Sequence, residues 1–79
     1  MNDERIYQPL RRWTVGGMID CEENNTEGST VSHRVVFTYV ETELCTLVDM
    51  FHKSHALVNE KYEALGWTVK NSELEFGAF

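Results

Sequence analysis

Basic residues are scarce in this chain: seven Lys and Arg stand against thirteen Asp and Glu, for a net charge of −6. Free binding to nucleic acid or to an anionic membrane surface needs a basic footprint, so that balance argues against both. Cysteine is scarce too, with Cys21 and Cys45 alone. In a cytosolic setting they are expected as buried thiols rather than a disulfide. No run approaches the roughly 18 apolar residues of a membrane span. The charged start, Met1-Asn2-Asp3-Glu4-Arg5, has no apolar stretch behind it, which predicts no signal peptide and a cytoplasmic protein. Asn24-Asn25-Thr26 fits a glycosylation sequon, which has no meaning there. There is no linker, internal repeat or low-complexity run.

Catalytic and metal signatures are also missing. The chain has no CxxC, no HExxH and no Walker sequence. Cys45, His52 and Cys21 form a thinkable zinc set, but no second ligand pair supports it, and no metal or cofactor is expected. A Cys–His nucleophile would need a pocket and an oxyanion donor around the thiolate. Gly16-Gly17 is followed by neither a helix start nor a Lys-Ser/Thr, so it reads as a bend rather than a phosphate loop. The expectation is a protein that is not an enzyme.

What is present is one small core's worth of patterned sequence. Its 79 residues, 42% of them hydrophobic, predict a single domain over 1–79. Residues 1–10 read as an extended arm. From 12 to 22, Trp13, Val15, Ile19 and Cys21 alternate with polar positions, which predicts a half-buried strand. Glu23 to Ser29 reads as a turn, with Asn24, Asn25, Thr26, Glu27 and Gly28 as its loop-formers. A second strand over 31–41 has Val31, Val35, Phe37 and Tyr39 on one side. Val36 and Val40 lie on the other, so that side is expected to be partly covered.

The longest pattern runs over 43–65. Leu44, Val48, Phe51, His55, Val58, Tyr62 and Leu65 repeat at steps of four and three, one stripe down an amphipathic helix. Leu47, Met50, Leu57 and Ala64 widen it. Thr42 is the expected N-cap and Gly66 the expected stop, with Trp67 folding back on Tyr62. Twenty-three residues would span about 34 Å, matching the strands. A last strand over 67–76 breaks register at Asn71-Ser72 and resumes with Leu74 and Phe76, which points to a bulge or turn. The order β-β-α-β predicts an α+β two-layer domain: a three-stranded antiparallel sheet in the order 2-1-3 with one helix on one face. The second strand would be an open edge.

Charge concentrates at the hairpin turn. Asp20, Glu22, Glu23 and Glu27 place four acids in residues 20–30 with no base among them. Carboxylates held on a hairpin can meet Arg and Lys of a nucleic-acid-binding groove. Together with the helix acids Glu43 and Asp49, they are the candidate partner-binding residues. The helix stripe is assigned to the core, which leaves only the helix's outward acids for a partner.

A family pattern runs through residues 12–70. A strand with Trp13-Thr14-Val15 leads to a hairpin whose second strand ends in Tyr39-Val40-Glu41-Thr42. An amphipathic helix follows, and Gly66-Trp67-Thr68-Val69 opens the last strand. This resembles the small phage-encoded inhibitors of host bacterial RNA polymerase. In size and acidity the chain also resembles phage anti-CRISPR proteins. No contact residue carries over from either family. The resemblance implies a mode of action: a folded surface that blocks a host nucleic-acid machine by protein–protein contact. CRISPR–Cas is the first expectation for the target and RNA polymerase the second. A third reading is a small accessory module, with no inhibitory role, that self-associates through the second-strand edge. The chain is expected as a monomer or as that edge-to-edge homodimer.

Overall fold

The computed structural model describes residues 9–24 and 28–79. The expected arm lies mostly outside the described residues, as do Asn25, Thr26 and Glu27. Strand β1 is Trp13–Asn24, β2 is Thr30–Val40, helix α1 is Leu47–Glu63 and β3 is Trp67–Ala78. The strands form one antiparallel sheet in the order β2-β1-β3. This is the expected α+β, β-β-α-β architecture, with α1 against one face of the sheet.

The inward face carries the core. Trp13, Val15, Ile19 and Cys21 of β1 are buried, as is Phe37 of β2. Val35, Tyr39, Val69, Leu74 and Phe76 pack around them. The other face looks to solvent: Val36 and Val40 are 64% and 56% exposed, so no described residue provides the cover expected for them.

Two backbone features explain how β1 and β3 fit. A Cβ on Gly17 would sit 1.8 Å from the Glu73 carbonyl oxygen, so only glycine allows this approach of the two strands. Asp20 pairs with Asn71 while Cys21 pairs with Val69, leaving Lys70 as the extra residue of a bulge. The bulge brings Val69 and Leu74, on opposite parities in the sequence, to the same face.

The helix differs from its expectation at both ends. It starts at Leu47, not at 43, and its N-cap is Thr46, not Thr42. The Thr46 hydroxyl accepts from the Asp49 N–H at 3.1 Å. The delay has a cause in the preceding residues. Cys45 and Arg11 exchange backbone hydrogen bonds of 2.9 and 3.0 Å. The Trp13 indole N–H donates to the Cys45 carbonyl at 2.8 Å. Cys45 is thus held as a strand-like bridge, and the helix cannot begin before it. At the far end, Leu65 and Gly66 donate to the carbonyls of Tyr62 and Glu63, three residues back. Gly66, at φ +81°, then turns the chain. Trp67 does stack on Tyr62, 6.0 Å between ring centroids. Seventeen residues span about 25 Å, so the helix is shorter than the strands it lies on.

The buried face of α1 is Met50, Ser54, Val58 and Tyr62. Of the expected stripe Val58 and Tyr62 are buried, and of the residues that widen it Met50. Leu44, Val48, Phe51 and Leu65 are 58%, 48%, 47% and 58% exposed, and Leu47 is 44% exposed. The helix is rotated about its axis relative to the expected face. A clamp at its N-terminal end sets that rotation. Glu41 is buried, and its carboxylate accepts from Lys53 Nζ at 2.5 Å, from the Tyr39 hydroxyl at 2.9 Å and from the Glu43 N–H at 3.2 Å.

Candidate functional site

The hairpin acids do not share one face. Asp20 and Glu22 lie on the outward face of the sheet, in register with Arg34 and Ser32 of β2. Arg34 reaches Asp20 at 3.6 Å and Glu73 of β3 at 3.9 Å, tying the three strands together on that face. Glu23 has the opposite parity. Its Oε1 lies 2.8 Å from His33 Nε2, and the His33 ring stacks on Trp67 with centroids 4.0 Å apart and planes at 4°. Glu22 has no ion-pair partner among the described residues. Glu27 lies outside them.

Glu43 and Asp49 sit at the other end of the sheet, beside the Arg11–Cys45 bridge and the helix start. About nine strand residues, roughly 30 Å, separate them from the hairpin acids. The six candidates therefore form two separate groups, with Glu27 undescribed. The sequence reading missed Glu73 and Glu75, which stand on the outward face opposite Met18 and Gly16. Their alternation with Leu74 and Phe76 was the available signal.

A second surface was also missed. Leu47, Val48 and Phe51 make an exposed apolar strip along the first turns of α1, and Leu44, also exposed, precedes the helix start at the same end as Glu43 and Asp49. The Phe51 ring continues it toward Phe76 of β3, 6.2 Å away. The four–three repeat in the sequence was the signal, and assigning all of it to the core hid the strip.

The thiols and histidines do not form a reactive group. Cys21 belongs to the hairpin half of the sheet and Cys45 to the opposite end. Burial, then the nearby Asp20 charge, pushes the Cys21 thiol pKa up. Burial and the Glu41 charge do the same for Cys45. Raised thiols are poor nucleophiles and poor metal ligands. His52 and His55 both pack against Phe51, at 5.7 and 4.5 Å between centroids. Among the described residues no cluster of three or more His, Cys, Asp or Glu is placed to hold a metal.

The surface has two concavities of note. A shallow depression of about 790 Å³ lies on the outward face between β1 and β3, floored by Gly16 and Gly77 and bordered by Glu73 and Glu75. A groove of about 380 Å³ runs between α1 and β2, lined by Phe37, Tyr39, Leu57, Glu60, Lys61 and Ala64. No described helix is long and apolar enough to cross a membrane. No family model, curated protein or solved structure matches the chain.

Proposed function

We propose that this protein is a stoichiometric inhibitor that acts by protein–protein contact. Its target is a host CRISPR–Cas complex, and it is carried by a phage or mobile element. The observation that carries this reading is the exposed strip Leu47, Val48 and Phe51, with Leu44 before it, set beside Glu43 and Asp49. Contiguous exposed apolar side chains with charge nearby are the anatomy of a protein-binding patch. The chain's net charge of −6 suits a basic partner surface, such as one built for DNA or RNA. The outward acids Asp20, Glu22, Glu73 and Glu75 would add long-range attraction, and the apolar strip would supply the buried contact.

The test is capture of the Cas complex from a host lysate on immobilised protein, at rising salt. Val48→Asp should abolish capture, because it puts a charge in the centre of the patch. Asp20→Arg with Glu22→Arg should weaken capture chiefly at low salt. Capture that is indifferent to all three substitutions would remove this reading.

A further inference from the structure

We propose that two copies of this chain pair through their β2 strands, antiparallel and two-fold symmetric about Val35, into one six-stranded sheet. The two edges of the sheet are built differently. β3 carries a bulge at Lys70 and the charges of Lys70, Glu73 and Glu75. Bulges and charges are the usual devices against edge pairing. β2 has no bulge: its 11 residues run in unbroken register with β1, include no proline and no acid, and carry one charge, Arg34, which is turned back onto Asp20 and Glu73 of its own sheet. None of the thirteen acids of the chain lies on this strand, so two copies of an acidic protein can pair there with no carboxylate set against another along the edge.

The pairing is self-complementary. A two-fold at Val35 sets Val36 opposite Arg34 of the second copy, Phe37 opposite His33, and Tyr39 opposite Val31. No like charges face each other. The α1–β2 groove lies along this edge. In it Lys61 Nζ stands 5.8 Å from the Phe37 ring centroid and 5.6 Å from that of Tyr62, with no carboxylate partner among the described residues. The two-fold brings it beside the His33–Glu23 pair of the second copy, which supplies the missing anion. The second copy also closes the open side of the groove. The helix strip and the outward acids Asp20 and Glu22 stay outside the pairing, so this inference does not rest on the proposed target.

Sedimentation velocity from micromolar concentration to about 1 mM, in low and high salt, tests the pairing. The expected result is a reversible dimer that high salt strengthens, because salt screens the repulsion between two acidic copies. Val36→Lys puts two lysines against two arginines across the two-fold and should weaken the dimer about tenfold. Val36→Glu places a carboxylate against the same arginines and should keep the dimer or tighten it. Val36 is 64% exposed, so both variants should match the parent's far-UV circular dichroism. A chain that stays monomeric throughout overturns the proposal. So does a dimer indifferent to Val36→Lys, or one that Val36→Glu weakens equally. Loss of Cas binding with the dimer intact would count against the target alone.

Discussion

Glu41 shows what one residue can fix. Its carboxylate is buried yet ionised, because Lys53 bonds to it and the Tyr39 hydroxyl adds a second contact. Those contacts hold its pKa below the ordinary 4.5, and the same Glu41 bond raises Lys53 above its ordinary 10.5. The stabilisation is present above pH 4.5 and is lost as pH falls through the depressed folded pKa. The alkaline sign is opposite for Lys53: its share is complete below pH 10.5 and is lost above the raised value. Melting temperature should therefore fall more steeply below pH 4.5 in the parent than in Glu41→Gln. Parallel curves would show that the clamp is idle.

Two more residues make sharp cases at this scale. Gly17→Ala should cost about 3 kcal/mol or more, since strand backbone must move to admit the methyl. Gly16→Ala should stay within about 1 kcal/mol of the parent, because a Cβ there meets only the Phe37 carbonyl oxygen, at 3.9 Å. Chemical denaturation of the pair measures the contrast. Ser54 is fully buried, and its hydroxyl has no hydrogen-bond partner among the described residues. Ser54→Ala removes that desolvated group and should raise stability by about 1 kcal/mol, or roughly 4–8 °C in melting temperature. An unchanged or lower melting temperature would mean that the hydroxyl is satisfied.

At the scale of elements, the strands were legible and the helix only half so. Strict alternation marks β1, and the parity switch between Val69 and Leu74 marks the bulge of β3. Both are local signals. The existence of α1 is local too, but its start and its rotation are not. The start waits on a bridge between Arg11 and Cys45, 34 positions apart in the chain. The rotation depends on Lys53 finding Glu41, which no helical wheel contains. Ser54 adds to the difficulty: a hydroxyl reads as a surface position, yet its small size lets the helix sit close on the sheet. Thr46→Ala should cost about 1 kcal/mol by removing the true cap, whereas Thr42→Ala should cost less than half of that. Equal losses would return the cap to Thr42.

At the scale of the whole molecule, the charge is legible from composition and its placement is not. The sequence puts four acids near one turn. The register sends Asp20 and Glu22 outward and Glu23 inward onto His33, and Arg34 ties Asp20 to β3. Cross-strand partners depend on pairing between distant segments, so no local reading finds them. The molecule measures 56 × 28 × 17 Å, with an acidic group near each end and an apolar strip at one. On the proposed reading, that form would let the chain lie along an extended basic channel, with recognition at the strip and attraction spread over the length.

The most direct test of the inhibitor account is the plaquing efficiency of a CRISPR-targeted phage on an immune host that expresses this chain. The account predicts that the parent protein restores plaquing toward the level on a host without immunity, and that equally abundant Val48→Asp does not. Plaquing that stays fully suppressed in the presence of folded, soluble parent protein would contradict it.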